Sequence, residues 1–83
     1  MYHVSITVTL KKGVSDPEGV NTLKALHLLG FDQVKQVKTV RTFDLLMNGK
    51  TQKTVEQQAD QMCQKLLTNP IIHSYDIQVK KDQ

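Results

Sequence analysis

The sequence is poor in the residues that build redox centres and aromatic binding surfaces. It has one cysteine, Cys63, no tryptophan, two tyrosines and two phenylalanines. A lone cysteine cannot form an internal disulfide, and the N-terminus lacks the basic start and apolar run of a signal peptide. No stretch approaches the roughly 18 apolar residues of a membrane span. These absences predict a cytoplasmic protein.

Charge is ordinary in amount, and its two signs are well mixed. The 83 residues include eleven Lys or Arg and eight Asp or Glu, for a net charge of +3, and no basic run exceeds two residues. This excludes the dense basic stripe of a protein that binds by neutralising phosphates. The length predicts one domain, residues 1–83, which buries only about 60–65% of its unfolded surface. Self-association would supply burial that so short a chain lacks.

The first part of the chain reads as a strand followed by a helix. Residues 2–10 alternate between apolar and polar side chains, which predicts a strand with one buried face. Gly13 ends this strand. Ser15 or Asp16 can cap the following helix, and Pro17 suits its first position.

The middle of the chain predicts the end of that helix and two further strand-like pieces. Gly30 is well placed as a left-handed cap at the helix C-terminus. The two pieces are Val34–Val40 and Thr42–Asn48. The break between them carries no Asn-Gly or Asp-Gly turn, so a hairpin and one long bent strand both remain open. Leu46 interrupts the polar face of the second piece and is a candidate for burial against another chain.

The last part of the chain reads as a second helix and a final strand. Residues 54–57, Thr-Val-Glu-Gln, form a capping-box pattern. An apolar stripe that includes Cys63 follows at helical spacing and ends before Pro70. Alternation over 75–79 predicts the last strand.

The order strand, helix, strand, strand, helix, strand predicts an α+β fold. Two βαβ-like halves give a two-layer sandwich of βαββαβ order, ferredoxin-like in outline, with both helices on one face of the sheet. The other face is then either polar and wet or covered by a second subunit, which would extend or cover the sheet.

Catalytic and metal-binding patterns are lacking. The glycines at 13 and 19 have five residues between them, and Val20-Asn21 stands where a P-loop needs Lys-Ser/Thr. The histidines and Cys63 lack paired ligand spacing, and Cys63 is most simply a core residue. The carboxylates show no acid/base pair. The residues therefore favour a binding or assembly role over catalysis.

Two alternative functions stay open on this evidence. The ferredoxin-like outline also occurs in ligand-sensing regulatory domains and in small RNA-binding modules. RNA-binding domains of this type stack bases on aromatics of their central strands. Here Phe43 alternates with Leu45 and Met47, which is a core pattern. Salt-dependent RNA affinity, or saturable binding of an amino acid or nucleotide, would identify either alternative.

Three segments of the sequence resemble the PurS family. They are VTLKKGVSDPEG at 8–19, KALHLLGF at 24–31, and MCQKLLTNPII followed by SY at 62–75. PurS proteins are the small subunits of the three-part phosphoribosylformylglycinamidine synthase of de novo purine synthesis. The combination is specific, although each segment alone is weak.

The resemblance implies a non-catalytic accessory subunit. The large partner subunit would use ATP and Mg, a glutaminase subunit would release ammonia, and this chain would bridge the two and support ammonia transfer. The resemblance implies no catalytic, cofactor-binding or metal-binding residue in this chain, and no nucleic-acid or membrane partner. It also implies a homodimer, or a pair of dimers.

Two departures from the family pattern bear on how the chain meets its partners. Val40 stands where a glycine is expected near the central strands, and glutamines replace the glutamates that relatives carry on the second helix, at Gln57, Gln58, Gln61 and Gln64. Lys11, Lys12 and Arg41, placed by the pattern in loops, are the candidate partner-docking residues.

Overall fold

The computed structural model describes residues 1–81, which form three strands and two helices. The elements are β1 (Tyr2–Leu10), α1 (Pro17–Leu28), β2 (Arg41–Met47), α2 (Gln52–Met62) and β3 (His73–Lys81). The strands form one antiparallel sheet in the order β2-β1-β3. Within these residues, no helix is long and apolar enough to cross a membrane.

The sheet has one apolar face, as the alternation predicts. In the register, Ile6 of β1 lies between Phe43 of β2 and Ile77 of β3. Since side chains alternate along each strand, the same face carries every second residue of all three strands. The predicted strands at 2–10, 42–48 and 75–79 are thus confirmed with small changes of boundary.

The core lies between this face and α2. Its buried residues are Tyr2, Val4, Ile6, Val8, Val55, Ala59 and Cys63. Helix α2 packs on β1 and β3, while β2 lies at the edge of the sheet beyond it. The prediction that Cys63 is a core residue is confirmed.

Helix α2 begins and ends differently from the sequence prediction. The cap is Thr51, whose hydroxyl accepts the backbone N–H of Thr54 at 3.2 Å. The capping box predicted to open at Thr54 is therefore wrong by one turn. At the other end the helix widens into a π-helical turn, Cys63–Leu67, which Thr68 closes by donating to the carbonyl of Cys63.

Helix α1 has the predicted ends. Asp16 is the N-cap, Pro17 is the first residue, and Gly30 follows the helix with φ of +96°. This left-handed conformation favours glycine, which has no Cβ to clash. The carbonyl oxygen of Val34 accepts a hydrogen bond from Nε2 of His27 at 2.8 Å, which shows that the chain reverses directly after the helix.

The prediction that both helices cover the sheet is wrong for the single chain. Helix α1 makes at most marginal contact with the sheet and with α2. It packs instead against the returning segment 34–40, close enough that a Cβ on Gly19 would lie 2.5 Å from the carbonyl oxygen of Val37. We call residues 17–40, the helix and this returning segment, the arm.

The strand predicted at Val34–Val40 does not form within the described chain. Val34 and Val37, three positions apart, are half-buried, whereas Lys35 and Gln36 are exposed. The carbonyl oxygens of both valines lie against α1, and the segment pairs with no strand of the described chain. The α+β, ferredoxin-like class is confirmed, with this segment left unpaired.

The arm gives the molecule an elongated shape. Its dimensions are 51 × 30 × 14 Å and its radius of gyration is 16.3 Å. A compact chain of this length would have a radius of gyration of about 12 Å. The arm therefore lies outside the packed body of the protein.

Candidate protein–protein interface

Asp16 holds the base of the arm closed. Its carboxylate accepts the backbone N–H of Gly19 at 3.0 Å and the backbone N–H of Thr39 at 2.8 Å. The first bond caps α1, and the second ties the start of the arm to its end. The hydrogen bond from Thr39, followed by that from Gly19, holds the pKa of Asp16 below its usual range.

The Asp16 carboxylate takes the place in the 8–19 loop that a phosphate would need. The helix N-terminus, which attracts anions, is occupied by the chain's own carboxylate. The loop thus closes a turn and clasps a distant segment, as the cap chemistry of Asp16-Pro17 predicts. The long-range partner, Thr39, carries no sequence signal because any residue but proline offers a backbone N–H.

The arm exposes large apolar side chains. Leu28 is 88% exposed and Leu29 is 73% exposed, and Val20 and Phe31 are also exposed. Such residues are normally the core-facing stripe of an amphipathic helix. Several large apolar side chains left this exposed on one short segment indicate an interaction surface.

The body has a matching uncovered region beside α2. Leu45 of β2, together with Met62, Leu66 and Leu67, lines a mainly apolar groove of about 530 Å³. Leu66 is 82% exposed. The groove lies over the β2 side of the sheet, where the second helix of a two-layer sandwich would sit.

The area of the chain agrees with this incomplete packing. The accessible surface is 6506 Å². A folded monomer of this mass would expose about 5,000 Å². The excess is larger than the roughly 800 Å² that each partner buries in a standard protein interface.

The outer face of the sheet is polar. Ser5 donates to the Asp44 carboxylate at 2.7 Å across the β1–β2 pair. Leu46 lies on this face and is 57% exposed. Tyr2, Phe43 and Tyr75 all belong to the opposite, helix-facing side, so the three described strands present no Phe, Tyr or Trp ring on their outer face. The base-stacking platform of an RNA-binding sheet is therefore missing there.

The predicted docking residues line two cavities that adjoin at Asp16. Lys11 and Lys12 line a groove of about 790 Å³ between the β1–α1 loop and segment 35–40. Arg41 lines another cavity, on the helix side of the sheet with Val8 and His73. Arg41 is the first residue of β2, not a loop residue as predicted.

Sequence analysis missed two lysines that line the same groove as Lys11 and Lys12. They are Lys35 and Lys38, both exposed on the returning segment of the arm. The reversal of the chain after α1 brings them beside the β1–α1 loop. The sequence signal was the Gly30 cap, which predicts such a reversal without fixing where the returning segment lies.

His73 and Cys63 have structural positions. His73 accepts the backbone N–H of Asn69 through Nδ1 at 2.8 Å, and so holds the turn before β3. Residues 1–81 contain no cluster of three or more His, Cys, Asp or Glu side chains that could hold a metal ion. Burial, and secondarily the charge of Asp60, raises the pKa of the Cys63 thiol, which disfavours the reactive thiolate.

Asp60 ties α2 to the sheet. The hydroxyl of Tyr75 donates to its Oδ1 at 2.5 Å, and the amide of Gln64 donates to its Oδ2 at 2.7 Å. The hydrogen bond to Asp60 raises the pKa of Tyr75. These contacts fix the helix that forms one wall of the apolar groove.

Comparison with known proteins identifies close relatives. The family model PurS, described as phosphoribosylformylglycinamidine (FGAM) synthase, matches residues 3–81. The chain is 44% identical over 81 residues to the phosphoribosylformylglycinamidine synthase subunit PurS of Methanocaldococcus jannaschii, covering 98% of each chain. It is 47% identical over 72 residues to that of Archaeoglobus fulgidus, covering 87% of this chain and 90% of the relative.

A solved structure shares the fold over the full length. The crystal structure of Methanocaldococcus jannaschii PurS, one of the subunits of formylglycinamide ribonucleotide amidotransferase in the purine biosynthetic pathway, superposes with a TM-score of 0.93. The two sequences are 42% identical, and the match covers 100% of both chains. The projecting arm is thus part of a fold that a relative shares, not a local irregularity of this chain.

Proposed function

Because the chain belongs to the PurS family of FGAM synthase, we propose that it is the non-catalytic small subunit of that enzyme in de novo purine biosynthesis. The observation that carries this proposal is the extended family match, over residues 3–81, to a chain whose apolar surfaces are left open for partners. Residue chemistry supports the same role, because Cys63 is buried and Asp16 is engaged in a cap.

The reaction of the complete enzyme sets the tasks of the subunits. Formylglycinamide ribonucleotide, ATP, glutamine and water become formylglycinamidine ribonucleotide, ADP, phosphate and glutamate. In this proposal the large subunit uses ATP and Mg, and the glutaminase subunit releases ammonia. The present chain bridges the two in the cytoplasm and supports the transfer of ammonia between them.

We further propose that two copies complete each other. The arm offers an apolar helix without a sheet to cover, and the body offers an apolar groove where a helix is missing. If each copy lays its arm over the β2 side of the other, both apolar surfaces are buried in one two-fold symmetric interface. The excess surface of about 1,500 Å² per chain is enough for such an interface.

The returning segment supports the same exchange. Residues 34–40 precede β2 directly and have no strand partner within the described chain. A second copy can supply an edge strand, so that this segment extends the partner's sheet. The strand missing from the predicted βαββαβ order would then be completed between copies.

The docking residues fit this arrangement in two roles. Lys11 and Lys12 lie away from the apolar groove and remain available to the other subunits of the synthase. Arg41 lies at the uncovered end of the helix-facing side, and in the proposal it contacts the second copy.

Reconstitution tests the proposed function. Glutamine-dependent amidation of formylglycinamide ribonucleotide is measured with the matching large and glutaminase subunits, with and without this chain. We expect activity that requires the chain, and no activity from the chain alone. Full activity without the chain would contradict the proposal, and saturable binding of an amino acid or nucleotide to the isolated chain would then favour a ligand-sensing role.

A further inference from the structure

The net positive charge of the protein is concentrated in one groove. The groove between the β1–α1 loop and segment 35–40 is lined by Lys11, Lys12, Lys35 and Lys38, with Asp16 as its acidic member. The whole chain has eleven basic and eight acidic residues, so outside the groove seven of each sign remain. The rest of the protein is therefore electrically balanced, and the net charge of +3 belongs to this groove.

The acidic member is already engaged. Both carboxylate oxygens of Asp16 accept backbone N–H groups, from Gly19 and from Thr39. The carboxylate thus holds the arm closed rather than pairing with a lysine. All four lysine side chains are exposed. Burying such ammonium groups against apolar surface would be costly, so this groove meets either water or an anionic partner.

The geometry favours an acidic protein surface over a small phosphate. The backbone donors at the start of α1, which would hold a phosphate, are taken by Asp16. The lysines come from two different segments on the two sides of an open groove of about 790 Å³. Dispersed point charges of this kind attract an extended set of carboxylates and accelerate encounter.

We propose that this lysine groove docks an acidic surface of another subunit of the synthase. The inference rests on the proposed function and adds to it the chemistry of the partner and the site that receives it. Lys35 and Lys38 lie on the arm, while Lys11 and Lys12 lie at its base. A partner that binds across the groove therefore contacts both segments that the Asp16 carboxylate joins, and so favours the closed arm.

Charge reversal with a matched control tests the groove. The test variant carries Lys35→Glu and Lys38→Glu, and the control carries Lys50→Glu and Lys53→Glu, which change the net charge equally at exposed positions outside the groove. The concentration of chain that gives half-maximal synthase activity is measured for both, with the two matching subunits, at low and at physiological salt. Sedimentation velocity of each variant alone reports self-association.

The expected result is specific to the groove. At low salt, the Lys35/Lys38 variant should require on the order of tenfold more chain than wild type for half-maximal activity. The difference from wild type should become smaller as salt screens the charges. The control should stay within about twofold of wild type, the range expected when no steering charge is lost. Both variants should keep the self-association of wild type, because strand pairing by segment 34–40 uses backbone groups rather than the lysine side chains. Both should also reach the same maximal activity.

Three results would overturn the inference. Equal half-maximal concentrations for test and control would remove the groove as a docking site, while leaving the proposed function intact if wild type supports activity. Loss of self-association in the test variant alone would assign the groove to the contact between copies. Displacement of wild type from the complex by millimolar inorganic phosphate, but not by chloride of equal ionic strength, would identify a phosphate site instead.

Discussion

The backbone N–H of Thr39 donates to the carboxylate of Asp16 across 23 positions of sequence, at 2.8 Å. The same carboxylate caps α1 through Gly19. One side chain thus joins the start and the end of an arm that otherwise touches little of its own body. Since both bonds are to backbone groups, the acceptor side chain of Asp16 is the specific requirement, while Gly19 matters for the space that its missing Cβ leaves.

Replacing Asp16 should open the arm at its base. In Asp16→Asn the side-chain oxygen can still cap Gly19, but the amide nitrogen cannot accept from Thr39. In Asp16→Ala both bonds are lost. We expect amide hydrogen exchange at Thr39 to rise on the order of tenfold in both variants, and at Gly19 only in Asp16→Ala. Unchanged exchange at Thr39 would show that the clasp does not hold the segment.

The two hydrogen bonds that Asp16 accepts also predict how stability depends on pH. Hydrogen bonds from Thr39 and Gly19 lower the pKa of Asp16 in the folded state, so the stability that they contribute is present above the unfolded-state pKa near 3.8. This stability is lost as pH falls through the lower pKa of the folded state. Exchange at Thr39 and thermal melts, followed from pH 6 down to pH 2, should show this loss in wild type but not in Asp16→Asn.

Adding a methyl group at Gly19 should separate α1 from the returning segment. The new Cβ would lie 2.5 Å from the carbonyl oxygen of Val37 and 2.6 Å from Oδ2 of Asp16. Overpacking of this kind typically costs about 1–3 kcal/mol. Urea unfolding should show that loss for Gly19→Ala, whereas Asn21→Ala, an exposed helix position, should be neutral or stabilising. Equal stability of the two variants would contradict the close contact.

Removing the hydroxyl of Tyr75 should weaken the attachment of α2. The Tyr75→Phe variant loses the bond to Asp60, a contribution of about 0.5–1.5 kcal/mol for a typical hydrogen bond. Because the bond raises the pKa of Tyr75, its stabilisation is present below pH 10 and is lost as pH rises through the folded value. Urea midpoints at pH 8 and pH 11 should show this loss in wild type and in a Tyr2→Phe control, but not in Tyr75→Phe.

The thiol of Cys63 should react only on unfolding. Its side chain is fully buried and its pKa is raised by that burial. A disulfide reagent should therefore label native protein far more slowly than protein in urea, at a rate that follows global opening. Labelling of native protein as fast as a free thiol would contradict the burial and the assignment of Cys63 to the core.

Much of the fold could be predicted from the sequence because its signals are local. Alternation placed β1, proline and glycine placed the ends of α1, and the spacing around Cys63 placed the core face of α2. The family resemblance is carried by the same segments, and the comparisons confirm it.

The position of the arm could not be predicted, because it depends on packing between distant segments. The apolar stripe of α1 gives the same pattern whether it covers its own sheet or another. The valines of segment 34–40 favour a strand, yet the carbonyl oxygens of Val34 and Val37 lie against the helix instead. Lys35 and Lys38 entered no site prediction for the same reason.

The mass of the chain in solution tests the central claim, that the arm and the uncovered groove are completed by a second copy. Sedimentation velocity should give at least twice the 9.4 kDa of one chain at micromolar concentration. The double variant Leu28→Ser and Leu29→Ser should dissociate, while the exposed helix control Ala25→Ser should not. A folded wild-type chain that sediments as a 9.4 kDa monomer at tens of micromolar would contradict the account.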